Sequence, residues 1–479
     1  MRKIIFLLCY CVYFFTYAQK WEMKQAPLMT PWSKNIDIHH VLPEYPRPLM
    51  QREDWKNLNG VWEFEMSTEG DLLPTKRKLH EKILVPYPWE SALSGVRRQL
   101  STQRAWYKRT FTLPKEWKDK NIILNFGAVD WKSEIYVNGK LVGAHKGGYD
   151  PFSFNITSYL DLSAKEQELI VSVYDPGNSK AIPHGKQNNT RFSEPKGYSY
   201  SPSSGIWQTV WIEPVNKDHV TAIHTVPDFD KKAFHVEVNA SGNQNLKVNV
   251  CIQSQGKIES QHSGTPNTPI TLPLQTIRPW SPDTPHLYDV IVKLTNEKGE
   301  TVDSIRSYAG MRKISLKNEN GVQRLALNDK FIFQMGPLDQ GYWPDGIYTA
   351  PTDEALKWDV QKIKEWGFNM IRKHIKVEPQ RWYYWCDKLG ILVWQDMPNG
   401  DKMHEWNQRD YFTGADLTRT PQSEAIYFKE WKEIMDYLYS YPCIGVWVPF
   451  NEGWGQFKTE ETANLTKQYD GTRLVNAAS

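Results

Sequence analysis

Near Leu316 the hydrophobic period of this 479-residue chain changes, and that change narrows the range of folds more than any other feature. Before it, short alternating segments broken by turn residues run from Trp55 to about Val215, and again from about Asn216 to Ile314. That is an all-β pattern. After it, strands and helices alternate. Phe331–Gln334 reads as a strand, and Thr352 caps a helix that carries Asp353 and Glu354 in its first turn. Leu356, Val360 and Ile363 share one face of that helix, and Gly367 closes it. Strand Phe368–Arg372 follows, then a helix opened by Pro379, lined by Trp382, Trp385, Cys386 and Leu389 and stopped by Gly390. Strand Ile391–Gln395, a helix bearing Tyr427, Trp431, Ile434 and Leu438, and strand Cys443–Val448 continue the series. The pattern predicts a parallel α/β barrel, with the aromatic and Met stripes of its helices in the core.

From the neighbourhood of Leu325 the chain offers roughly 155 residues, whereas a TIM barrel takes about 250. That length suffices for four strands and the start of a fifth at Arg473–Val475. A half barrel leaves strand edges unpaired, so the expectation is a fragment of a longer protein.

In the first β region, Ile135 to Val142 reads as a tight hairpin, because Asn138-Gly139 accepts the positive φ angles of a type I′ turn. Leu169–Tyr174 and Ile206–Ile212 read as further strands. In the second, strands are expected at Phe234–Val238, Leu246–Ile252 and Tyr288–Leu294, the last preceded by the Pro-rich piece Arg278–Pro282. The length of this region, about 100 residues, suits an immunoglobulin-like sandwich.

The start of the chain bears on location. Arg2 and Lys3 precede an apolar run from Ile4 to Phe15, and Thr16-Tyr17-Ala18 offers a small-residue cleavage site. Residues 1–18 therefore read as a secretory signal peptide, too short for a membrane span, and no second spanning run follows. Of five cysteines, Cys9 and Cys11 leave with it; Cys251, Cys386 and Cys443 do not form a disulfide framework. Cys9 and Cys11 lack the small residues expected before a lipid-modified cysteine, which favours a soluble exported protein, periplasmic or secreted. The net charge of +3 offers nothing to nucleic acid.

The segment Val446-Trp447-Val448-Pro449-Phe450-Asn451-Glu452-Gly453-Trp454 carries the strongest chemical signal. Asn451 and Glu452 fall at the C-terminal end of an apolar strand, the face where barrel enzymes keep their chemistry. Flanked by Trp447, Phe450 and Trp454, Glu452 is expected to be poorly solvated, and desolvation favours the neutral form that a general acid needs. The bland alternative is that Glu452 caps the following turn, where Gly453 and Gly455 permit unusual backbone angles. Asp339, after the first barrel strand, is a candidate for a substrate hydroxyl or else a turn-forming Asp. Trp343 and Trp454 offer flat faces for stacking on sugars, or pack the core. His184 and His145 have no second ligand at metal spacing and read as surface residues. Neither a metal nor a cofactor is expected.

Several motifs resemble glycoside hydrolase family 2, the group of β-galactosidases, β-glucuronidases and β-mannosidases. Trp55-Lys56-Asn57-Leu58-Asn59-Gly60-Val61-Trp62 is similar to the opening of that family's sugar-binding jelly roll, and Gly205-Ile206-Trp207-Gln208-Thr209-Val210-Trp211 to its closing strand. Gly367 to His374 is similar to the second barrel strand, and Ser440 to Trp447, running on to Asn451-Glu452, to the acid/base signature. The implied organisation is an N-terminal extension (19–54), a jelly-roll sandwich (55–215), an immunoglobulin-like sandwich (216–314) and the first half of a TIM (β/α)8 barrel (315–479).

The resemblance implies a retaining mechanism with two carboxylates about 5–5.5 Å apart. Glu452 takes the acid/base position, Asn451 would bond the sugar 2-hydroxyl, and Arg372 would support the nucleophile. That nucleophile should be a glutamate ending the seventh strand, and no residue of this sequence takes the role. The chain departs from the family in two places. His374 comes two residues after Arg372 rather than three, and the third strand runs into Gln395-Asp396-Met397-Pro398-Asn399 instead of an acidic, His-containing loop. Sugar contacts by His374, Asp396 and Asn399 are therefore balanced against structural roles.

The expected activity is an exported glycosidase that removes terminal β-linked sugars from oligosaccharides or other glycosides, β-galactosidase-like by the family's most frequent activity. The rival is a carbohydrate-binding protein without catalysis, or an inactive product. An oligomer is compatible with either.

Overall fold

The structure is a computed structural model that describes residues 20–192, 196–242, 245–402 and 416–479. The signal-peptide reading of residues 1–18 lies outside the described residues. Two antiparallel sandwiches precede a parallel sheet.

The first sandwich packs a six-stranded sheet on a four-stranded one. Trp62, Phe64, Tyr107, Ile135, Val171 and Ile212 point into its interior and are almost wholly buried. The Lys132–Val137 and Lys140–Lys146 hairpin turns through Asn138 and Gly139, both at positive φ, as the Asn-Gly pair predicts. The segment 206–212 is broken rather than continuous. Gly205–Ile206 pairs with Val129–Asp130, and Val210–Val215 with Asn121–Phe126. The second sandwich sets a three-stranded sheet against a four-stranded one around Phe234, Val250, Val290 and Ile305.

A strap formed by residues 20–54 laces the domains together. Arg47 and Arg52 both reach Glu213, at 2.6 and 3.2 Å, and Arg52 also pairs with Asp303 of the second sandwich. Thr30 donates its hydroxyl to Asp345 Oδ2 at 2.6 Å, tying the strap to the barrel.

The parallel sheet has five strands in chain order: β1 Leu338–Asp339, β2 Met370–Lys373, β3 Leu392–Asp396, β4 Ile444–Val448 and β5 Leu474–Val475. Helices α1 Asp353–Glu365, α2 Gln380–Leu389, α3 Pro421–Leu438 and α4 Thr459–Tyr469 cover it. Sequential order with helical crossovers is TIM-barrel connectivity.

One expectation fails here. Phe331–Gln334 is not the first barrel strand. Asn328 and Asp329, at φ 53° and 63°, turn the chain back, so that Lys330–Phe331 pairs antiparallel with Val322–Leu327. Asp339 therefore ends the first barrel strand instead of following it. Arg312 lies at the opposite end of the sheet, donating to the carbonyls of Pro442, Ile444 and Thr472 where β4 and β5 begin.

The barrel core is shared. Tyr149 and Trp207 of the first sandwich and Trp280 and Tyr308 of the second belong to one buried cluster with Ile371, Val393, Trp382 and Ile444. Cys251, Cys386 and Cys443 are buried and free.

Candidate active site

Period-two alternation sends Arg372 and His374 to one side of β2 and Lys373 to the other. Arg372 donates from Nε to Asp396 Oδ1 at 3.0 Å and from Nη2 to Asp396 Oδ2 at 2.9 Å, while His374 Nδ1 lies 2.9 Å from the same Oδ2. Asp396 is fully buried at the end of β3, with both oxygens occupied. It holds Arg372 and His374, and has no surface left for a sugar, contrary to one expectation. Asn399 is likewise fully buried, its amide donating to the carbonyls of Met397 and Pro449, so it is scaffold.

Lys373 faces the helical layer. Its ammonium donates to Asp339 Oδ2 at 2.6 Å and Glu378 Oε1 at 2.8 Å, and sits 4.2 Å from the Trp382 ring. Burial favours the neutral form of Asp339, but Lys373 outweighs it and holds the carboxyl below its usual range. Burial pushes neighbouring Lys376 down to about 8, against the pull of Glu378. Asp339 thus belongs to a buried ion network beneath the mouth of the barrel.

Beyond β4, Phe450 pairs with Ala478, and the backbone places Asn451, Glu452 and Ser479 side by side. With its amide nitrogen toward the carboxylate, Asn451 donates to Glu452 Oε2 at 3.1 Å and to the Ser479 carbonyl at 2.9 Å. Arg372 Nη2 donates to that same carbonyl at 2.8 Å. Arg372, Asn451 and Glu452 therefore form one contiguous polar edge at the C-terminal ends of β2 and β4. The turn after Glu452 is held by Trp454 N to Asn451 O and by Gly453 N to Gln456 Oε1, not by the Glu452 carboxylate.

Glu452 is exposed rather than enclosed. The aromatics expected to desolvate it are engaged elsewhere. Trp447 packs edge-on against Trp431 and donates to Asp470, and Phe450 stacks on Tyr427. Trp454 is buried beside the rings of His184 and Tyr198, a wall rather than an open platform. Trp343 is turned to the strap, edge-on to Trp32.

A loop of the first sandwich reaches this edge. Pro183 pairs with Gly400, and the amides of His184 and Gly185 both donate to Asn399 O. His184 is buried, contrary to the surface reading, and burial pushes its imidazole down to about 4. His145 is no surface residue either; its ring stacks on Phe152 at 4.1 Å. The next residue in the loop, Lys186, is half-buried within electrostatic reach of Asp396, Glu452 and Arg372. Nothing in the local sequence marks Lys186, because only the docking of the sandwich on the barrel brings it there. Among the described residues, no group of three or more His, Cys, Asp or Glu side chains is arranged to hold a metal ion.

Three models of one family match the chain in order. They are the sugar binding domain of glycosyl hydrolases family 2 at residues 55–210, a second family 2 region at 218–312, and its TIM barrel domain at 348–479. Two antiparallel sandwiches followed by a parallel, helix-covered sheet follow the same domain order as those three models. The chain belongs to glycosyl hydrolases family 2.

It is 25% identical to a putative beta-glucuronidase of Formosa agariphila over 85% of its own length and 47% of the relative's. With a beta-galactosidase of Thermoanaerobacter pseudethanolicus the figures are 26%, 73% and 44%. The chain thus spans about half the length of these curated relatives. A solved β-glucuronidase from Ruminococcus gnavus in complex with D-glucuronic acid superposes with a TM-score of 0.71 at 19% identity, covering 90% of this chain and 72% of that one. A Bacteroides uniformis beta-glucuronidase gives 0.70 at 22% identity, covering 88% and 52%. These likenesses concern the fold.

Proposed function

We infer that the full-length gene product is a glycosidase that removes terminal β-linked sugars by a retaining mechanism, with Glu452 as general acid and then general base. The observation that carries this reading is the Asn451–Glu452 contact of 3.1 Å at the C-terminal end of β4, contiguous with Arg372. An open carboxylate there can reach a glycosidic oxygen and later a water molecule. With the Asn451 nitrogen engaged by Glu452 and Ser479, its amide oxygen is the atom that would accept from the sugar 2-hydroxyl, a contact that strengthens in an oxocarbenium-like transition state. Arg372, locked by Asp396, presents fixed positive charge toward a partner carboxylate, expected about 5–5.5 Å from Glu452. Relatives named beta-glucuronidase and beta-galactosidase support a β-glycoside substrate. Residues 1–18 support export.

The test is Glu452→Gln in the full-length product. Turnover of glycosides with poor leaving groups should fall about 10²–10⁴-fold, and much less for activated aryl glycosides that need no protonation. Wild-type turnover of the unactivated substrate would overturn the assignment. Glycan affinity without any hydrolysis by the wild type would favour the binding-protein reading.

A further inference from the structure

The geometry points to Lys186 as a specificity residue, lent to the barrel by the first sandwich, that pairs with an anionic group, carboxylate or sulfate, on the sugar held above Glu452. This inference rests on the glycosidase reading and adds the substrate class to it.

The placement of Lys186 is built, not incidental. Its carbonyl accepts from Tyr200 N at 2.8 Å, and Asn188 N donates back to Tyr200 O at 2.9 Å, so the loop is paired on both sides of it. Tyr200 in turn packs its ring 4.5 Å from that of Tyr342 in the barrel. On the other flank, Gly185 stands at φ +57°, and a Cβ there would lie 2.5 Å from the carbonyl oxygen of Ile375, next to His374. Only glycine lets the loop descend this far onto the barrel mouth.

The charge at the mouth then leaves Lys186 unmatched at the decisive moment. Asp396 is spent on Arg372 and His374. Glu452 is the remaining carboxylate near Lys186, and it must carry its proton when the glycosidic bond breaks. In that state no described carboxylate close to Lys186 is left to balance it, and the ammonium makes no hydrogen bond or ion pair to a described residue. A half-buried ammonium facing a neutral sugar is poorly compensated, whereas an anionic substituent restores the balance. Such a substituent also raises the local concentration of the right substrates.

The test uses the full-length protein, Lys186→Met and Lys186→Arg, with three aryl β-glycosides: a galactoside, its 6-sulfate and a glucuronide. The wild type should prefer one of the two acidic substrates over the neutral one, and which one distinguishes sulfate from carboxylate. In Lys186→Met the acidic-to-neutral ratio of kcat/KM should fall roughly 10- to 100-fold, chiefly through KM, with Lys186→Arg, which conserves the charge near Glu452, keeping most of it and leaving the pH–rate profile unmoved. An equal loss on all three substrates, an unchanged ratio, a pH profile shifted in Lys186→Arg, or a wild type that cleaves only the neutral galactoside would overturn the inference while leaving the glycosidase reading intact. A wild type that cleaves no glycoside would overturn both.

Discussion

Asp396 Oδ2 stands 2.9 Å from both Arg372 Nη2 and His374 Nδ1, so a single buried carboxylate sets the direction of two side chains at the barrel mouth. Arg372 carries that order onward to the Ser479 carbonyl, which the Asn451 amide shares. A change at Asp396, which the substrate cannot touch, is therefore felt at the catalytic edge.

Asp396→Asn should leave the largely buried Arg372 guanidinium without its countercharge. Removing one partner of a buried pair costs about 3–5 kcal/mol. We expect a lowered melting temperature together with a fall in kcat of at least about tenfold on any glycoside the wild type cleaves. Thermal melts and steady-state kinetics measure the two effects, and unchanged kinetics would separate Asp396 from the site.

Gly185→Ala tests the seat of the loop. Its Cβ would meet Ile375 O at 2.5 Å, and the backbone is already at φ +57°. A cost of about 1–3 kcal/mol is expected from strain, along with a loss of the acidic-substrate preference assigned to Lys186. Amide hydrogen exchange across residues 182–190 should rise. A variant with native protection and native substrate preference would show that the loop tolerates displacement.

Glu430 supplies a pH-dependent interdomain contact. Its Oε1 accepts from Trp131 Nε1 of the first sandwich at 2.8 Å, and burial, reinforced by Asp150, pushes the carboxyl up to about 8. The folded protein then keeps a proton that the unfolded chain releases above its ordinary value of 4.5. Stability from this group is full below that value, declines as pH rises to about 8, and is flat beyond. Glu90, also pushed up to about 8 by burial, adds a slope of the same sign. Glu430→Gln should make the decline of urea midpoints between pH 5 and 8 shallower without abolishing it. Parallel curves for wild type and variant would show that Glu430 does not titrate in this way.

Residues 20–314 should fold without the barrel, whereas 315–479 should not. Both sandwiches have their own buried clusters, but the barrel's cluster includes Tyr149, Trp207, Trp280 and Tyr308. Excising the barrel segment exposes its side of that shared core. A cooperative melt of residues 315–479 alone would contradict this.

Much of this was legible along the chain because it depends on neighbours in sequence. The Asn138-Gly139 hairpin, the Thr352 cap, whose hydroxyl accepts from Ala355 N, and the left-handed Gly390 at the end of α2 are local conformational preferences. The five buried apolar residues of β4 likewise announce a strand covered on both faces, ending at Asn451-Glu452. The Asn328-Asp329 turn shows the limit. Two small polar residues can sit in a loop or close a hairpin, and only the partner strand Val322–Leu327 decides.

By itself, then, the sequence determined the two β regions, the change to strand-helix alternation and the carboxylate at the end of β4, all consequences of short-range periodicity and turn chemistry. Tertiary structure alone decided the environment of that carboxylate. The orientation of Trp447 and Phe450 away from it, the burial of Asp396 under Arg372 and His374, and the arrival of Lys186 from the first sandwich all follow from packing between distant elements. Solvation and charge pairing are properties of what surrounds a group in space, and a one-dimensional pattern does not contain them.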